Sequence, residues 1–205
     1  MAFDSQENLK LRSTVSLLIS TLLLILEFEK AAVQNSIPMK NSIITVFFIA
    51  SAILLFGQEP IRPYNESSDT KADLKTAIAL AKKENKHVLV QFGGNWCPWC
   101  IRFHSMVKNV PVMDSLIKAD YIYVLANVPR EKEKRDYQLF QEYDYPNRFG
   151  YPVFVILDGN GKKLHIQDSG ILEHCTEKGY DTTKVVTFLR QWNAKALDPG
   201  TYLKK

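Results

Sequence analysis

His87-Val88-Leu89-Val90-Gln91-Phe92-Gly93-Gly94-Asn95-Trp96-Cys97-Pro98-Trp99-Cys100 is the stretch on which the fold turns. Its first six residues form a short β-branched and apolar run, the composition of a buried strand, and Gly93-Gly94 ends it. Beyond the glycines, Cys100 to Lys108 can be helical, with Ile101, Met106 and Val107 giving partial apolar periodicity. A C-x-x-C therefore lies where a strand passes into a helix, and that spacing points to redox or metal chemistry. The chain has 3 cysteines, too few for a multi-bridge scaffold, and Cys175 is left without an obvious partner.

Working outward, Asp69 or Thr70 can cap a helix running to about Lys83, with Asp73 as a capping-box-like partner and Leu74, Ala77, Ile78 and Ala81 on one face. On the other side, Pro111 breaks or kinks the helix after the C-x-x-C, and Val112 to Ala119 can form a further short helix. Tyr121 to Ala126 reads as a second buried strand, followed by a predicted helix over Glu131 to Glu142. Val153 to Leu157 is a third strand, joined through Asp158-Gly159-Asn160-Gly161 to an antiparallel partner, Lys163 to Gln167. A last helix is capped by Asp181 or Thr182 and carries Val185, Phe188, Leu189 and Trp192 on its apolar face.

This order, with Trp96-Cys97-x-x-Cys100 between the first strand and its helix and Gly150-Tyr151-Pro152 ahead of the hairpin, resembles the thioredoxin superfamily over about residues 70–195. Within it the chain looks most like the small exported thioredoxin-like proteins of bacteria. The resemblance implies an α/β thioredoxin fold, a central mixed β-sheet flanked by helices. It also implies that Pro152 is a cis-proline facing the cysteine pair, with the backbone of Tyr151 free to pair with a bound peptide. Two positions depart from the pattern. Gln91 stands where typical thioredoxins carry a buried acid beneath the second cysteine, so a carboxylate proton acceptor for Cys100 is missing. Tyr151 is bulkier than the residue common before that proline, which narrows or redirects the peptide groove.

Thiol–disulfide exchange needs a thiolate that attacks a disulfide sulfur and a second thiol that releases the mixed disulfide. A helix N-terminus stabilises negative charge, so Cys97 is the expected exposed nucleophile and Cys100 the resolving thiol. Pro98 suits a first helical turn because it lacks an N–H, and Trp99 lends apolar surface beside the sulfurs. Trp96, Pro98, Trp99, Tyr151 and Pro152 are thus the expected supporting residues. A metal or cluster is the rival for Cys97, Cys100 and His104, but no second C-x-x-C completes four ligands. No metal site and no cofactor is predicted. His104 reads as a partly exposed helix residue, and Cys175, although next to His174, as a buried or idle thiol. Tyr121, Tyr123, Phe154 and Trp192 read as core.

Residues 1–57 read as hydrophobic targeting or membrane segments, 58–68 as a linker and 69–205 as the folded domain. The apolar runs Val15 to Leu26 and Ile43 to Phe56 are short of the roughly 18–20 residues that span a bilayer and match a signal-peptide core. Met39-Lys40-Asn41-Ser42 before the second run gives a complete secretory signal with its own initiator, cleaved near Ala50-x-Ala52 or after Gly57; the alternatives are an uncleaved anchor formed by one run or a hairpin of both. Either places the domain outside the cytoplasm, in the periplasm or held at the inner membrane. With 46% hydrophobic and 23% charged residues and a net charge of +4, the chain shows no basic stripe and no nucleic-acid motif. The expected partners are cysteine-containing extracytoplasmic proteins and a redox partner in the membrane. The alternative function is a non-catalytic binding module of the same fold with a structural disulfide.

Overall fold

The computed structural model describes residues 60–203 and, apart from these, Ser20 and Leu23. Ser20 and Leu23 apart, the two apolar runs lie outside the described residues, as do the start at Met39 and the cleavage sites. Among the described residues no helix is long and apolar enough to cross a membrane. Residues 61–205 form one compact unit.

Helix α1 (Thr70–Glu84) is capped by Asp69, whose carboxylate accepts from the amides of Lys71 and Ala72 at 2.9 and 3.2 Å. With Asp69 as the cap, Asp73 is the fourth residue of the first turn, one position past that of a capping-box partner. Asn85, at φ 52°, ends the helix in the left-handed region that asparagine tolerates. Strand β1 (His87–Gly93) follows, then α2 (Pro98–Asn109) and α3 (Pro111–Asp120), split at Val110 because Pro111 takes the first position of a new helix. Strand β2 (Tyr121–Asn127), helix α4 (Tyr137–Glu142), the hairpin of β3 (Val153–Leu157) and β4 (Lys163–Asp168), and helix α5 (Thr182–Gln191) complete the main elements.

The sheet order is β2-β1-β3-β4, with β1 parallel to β2 and antiparallel to β3, and β3 antiparallel to β4. This is the expected mixed sheet flanked by helices. The central strands β1 and β3 are buried along their whole length, which is why they read as near-continuous apolar runs. Alternate residues feed two cores. Val88, Val90, Phe92, Val153, Val155 and Leu157 pack with Leu74, Ala77 and Ala81 of α1 and Leu139 and Phe140 of α4. Leu89, Phe154 and Ile156 pack on the other face with Phe103 and Val107 of α2 and Phe188 and Leu189 of α5. Each such side chain contributes about 1.5–3 kcal/mol by leaving water. Tyr121 and Phe154 are core as expected, while Tyr123 and Trp192 are only partly covered.

The helix predicted over 131–142 is α-helical only from Tyr137. Asp136 caps it by accepting from the Leu139 amide at 2.9 Å, and upstream only a turn of 3-10 helix, Lys132–Lys134, forms. Arg135 explains the break. Its guanidinium donates to the carbonyls of Pro129 and Arg130, both at 2.9 Å, and folds the chain back into a loop.

Candidate active site

Two glycines at the end of β1 make room for the site. A β-carbon on Gly93 would lie 2.4 Å from Cys100 Sγ, and one on Gly94 would lie 2.5 Å from Trp96 Nε1. The chain turns there, the Cys97 amide donating to the Gly94 carbonyl at 3.0 Å, and Trp96 is pinned by its indole N–H to the Val128 carbonyl at 2.8 Å. Cys97 is then the N-cap of α2. Its Sγ accepts from the Cys100 amide at 3.2 Å, and Pro98 occupies the first turn, where no amide is needed.

Cys97 and Cys100 are joined as a disulfide, their Cα atoms 5.2 Å apart. Cys100 is fully buried, as a second cysteine one turn into a helix should be. Cys97 is not the exposed group the sequence suggested: it is 4% exposed. The reason is aromatic cover, because Trp96, Trp99 and Tyr151 pack around the pair. What little of the disulfide reaches the surface belongs to Cys97.

The Tyr151-Pro152 bond is cis, and the Tyr151 carbonyl oxygen lies 3.5 Å from Cys97 Sγ. The Tyr151 ring meets Trp96 edge-on at 5.5 Å, and the Arg135 guanidinium sits 5.5 Å above Tyr151 and 6.0 Å above Trp96. On the other flank Trp99 stands edge-on to Tyr180 at 5.5 Å under the Arg102 guanidinium, 4.8 Å away. The sulfur pair thus lies between two aromatic walls, each topped by an arginine. Pro98 is exposed at the rim and Pro152 is buried.

Beneath Cys100 lies a polar bed of which sequence reading placed Gln91 but not its tyrosine partners. Gln91, fully buried, donates through Nε2 to the Cys100 carbonyl at 3.0 Å and to the Tyr64 hydroxyl oxygen at 2.5 Å, and its Oε1 accepts from the Tyr123 hydroxyl. Tyr64 comes from the stretch read as a linker. It is 3% exposed and is clamped by Asn95, which accepts from the Tyr64 amide at 3.0 Å and donates to its carbonyl at 2.9 Å. The available signal was that Tyr64 is the sole aromatic between residues 58 and 68. Burial raises the hydroxyls of Tyr64, Tyr123 and Tyr180 well above the ordinary tyrosine range, so all three stay neutral.

His104 is half-buried against the Tyr123 ring, centroids 6.4 Å apart, and its buried Nδ1 has no hydrogen-bond partner among the described residues. Burial, and secondarily Lys108, lowers its pKa. Among the described residues no group of three or more His, Cys, Asp or Glu could hold a metal ion, so Cys97, Cys100 and His104 do not assemble as one. Cys175 is free and exposed rather than buried.

Residues 69–159 match a family model described as thioredoxin-like. No curated protein matches the chain. Among solved structures, a disulphide isomerase from Xylella fastidiosa Temecula1 superposes with a TM-score of 0.56 at 26% identity, over 65% of this chain and 98% of its own. A thioredoxin from Thermus thermophilus gives 0.44 at 22% identity, covering 62% and 88% of the two chains. The C-terminal domain of Neisseria meningitidis DsbD, in its oxidised form, gives 0.43 at 20% identity, covering 60% and 96%.

Proposed function

Since the chain carries a thioredoxin-like domain whose fold is that of disulfide oxidoreductases, with its C-x-x-C closed as a disulfide, we propose that it exchanges electrons with cysteines of extracytoplasmic proteins. The observation that carries this reading is the placement of the disulfide. Cys97 caps α2, and its sulfur faces the backbone carbonyl of Tyr151, which lies ahead of the paired residues of β3, where an incoming peptide backbone would meet it.

The exchange runs in two balanced steps. A substrate thiolate attacks Cys97 Sγ, the Cys97–Cys100 bond breaks, and its electron pair passes to Cys100, leaving a mixed disulfide on Cys97. A second substrate thiolate then displaces Cys97, so the substrate is oxidised by two electrons and the pair is reduced. Run backwards, Cys97 opens a substrate disulfide and Cys100 resolves the adduct. The α2 N-terminus favours the Cys97 thiolate in both directions. Trp96, Trp99 and Tyr151 shape the approach, and Pro98 and Pro152 hold the backbone around the sulfurs.

The location outside the cytoplasm, in the periplasm or at the inner membrane, rests on the apolar runs ahead of the domain, as does a membrane redox partner. The Xylella protein's description as a disulphide isomerase supports protein substrates. One observation favours a second reading: the near-complete burial of both sulfurs suits a structural disulfide in a binding module. Equilibrating the full chain with graded thiol–disulfide buffers and counting alkylated thiols separates them. A midpoint between about −270 and −120 mV is expected, the lower end marking an electron donor and the upper a disulfide donor. A pair that stays closed throughout selects the binding module.

A further inference from the structure

We propose that the Tyr64 hydroxyl is the hydrogen-bond donor that receives the Cys100 sulfur when the disulfide opens, filling the place left by the missing buried acid. The inference rests on the exchange reading, because only exchange makes Cys100 a leaving and attacking thiolate. A fully buried thiolate is costly unless a donor meets it. Gln91 cannot meet it, since both hydrogens of its amide are committed, one to the Cys100 carbonyl and one to Tyr64. The Cys100 carbonyl can only accept, which fixes the orientation of that amide. Tyr64 oxygen therefore accepts from Gln91, and its own hydrogen points elsewhere.

The space above Gly93 shows where it can go. One β-carbon placed there would lie 2.4 Å from Cys100 Sγ and 2.7 Å from the Tyr64 hydroxyl oxygen, so the two heteroatoms can be no farther apart than those distances together. Tyr64, Cys97 and Cys100 also form one buried cluster. In the disulfide Cys100 Sγ is a weak acceptor; once the bond breaks and the electron pair arrives, it becomes a strong one. The phenol keeps its proton, because burial holds Tyr64 far above the thiol range, so it stabilises the thiolate without protonating it. The other titratable or charged groups around this place are Tyr123 and Tyr180, both neutral, and farther out His104, Arg102, Arg135 and Glu66. In the closed pair no side chain, Tyr64 included, donates to Cys100 Sγ among the described residues.

The test uses the full chain with Cys97→Ser and Cys175→Ser, in which Cys100 is the remaining cysteine, and follows its Cβ resonance in cysteine-labelled protein against pH. Adding Tyr64→Phe is expected to raise the Cys100 midpoint by about one unit, while Tyr123→Phe, which removes a hydroxyl that donates to Gln91, raises it less. Should Tyr64→Phe disturb folding, a ring-fluorinated tyrosine at position 64, a stronger donor that still accepts from Gln91, is expected to lower the midpoint. A midpoint that neither substitution moves overturns the role given to Tyr64. Exchange with a small peptide disulfide by the unaltered chain is read separately, and its absence sinks the exchange reading whatever Cys100 does.

Discussion

Gln91 illustrates how one side chain can hold a reactive pair without taking part in electron transfer. Full burial of an amide is tolerable only when its donors and acceptor are matched, and each unmatched group costs about 1–3 kcal/mol. Here all are matched, by Cys100, Tyr64 and Tyr123. His104, one turn beyond Cys100 on α2, is the opposite case, with a buried Nδ1 that no described residue meets. Its lowered pKa makes a directional prediction. As pH falls below about 6.5 the unfolded chain binds a proton before the folded one does, so stability present at pH 8 is lost on acidification through the folded-state pKa. His104→Phe keeps a ring against Tyr123 and removes the proton site. The urea midpoint of the variant should fall less between pH 7.5 and 5.5 than that of the parent. The difference should be small, because the ring is half in water.

At the scale of elements, what could be read in advance was whatever one segment determines by itself. The central strands and the apolar face of α1 declare themselves by composition and period, and Pro111 marks its helix start without help from elsewhere. Of the polar bed only Gln91 could be placed, not its partners. Gln91 meets Tyr64 across 27 residues and Tyr123 across 32, and no local pattern encodes either meeting. The loss of helix before Tyr137 was hidden for the same reason, since the carbonyls that Arg135 ties down belong to a loop whose path the sequence does not announce. Between β1 and α2 the two kinds of information converge on Gly93, a glycine visible in sequence whose necessity appears only in three dimensions. Gly93→Ala should cost about 1–3 kcal/mol by overpacking and should also hinder closure of the disulfide, because the new methyl meets Cys100 Sγ. Gly150→Ala is the control. It has open space but φ +83°, so it should lose about 1–3 kcal/mol to backbone strain and leave the disulfide equilibrium unchanged. Urea midpoints and thiol counts in redox buffers, measured on both variants, check the distinction.

For the whole molecule the telling question is where the folded domain begins. A boundary at Asp69 follows from composition, since residues 58–68 are rich in Pro, Asn and Ser and hold no long apolar run. Yet Tyr64 is as buried as the strands, Asn95 binds both sides of its backbone, and Glu66 accepts from the same Asn95 amide at 2.9 Å. A chain beginning at Pro60 keeps this lid over the polar bed, while one beginning at Asp69 removes it. Losing a buried aromatic ring costs about 3–5 kcal/mol in comparable sites, and stranding the Gln91 and Asn95 amides adds to that. The shorter chain should therefore unfold at a lower urea concentration by at least about 3 kcal/mol. It should also let a small thiol reach the disulfide faster, because the cover over Cys100 is gone. Equal stability and equal reduction rates in the two chains would mean that residues 60–68 merely rest on a domain complete without them. A difference of the expected size would make residues 60–68, which read in sequence as a linker, part of the site around Cys97 and Cys100.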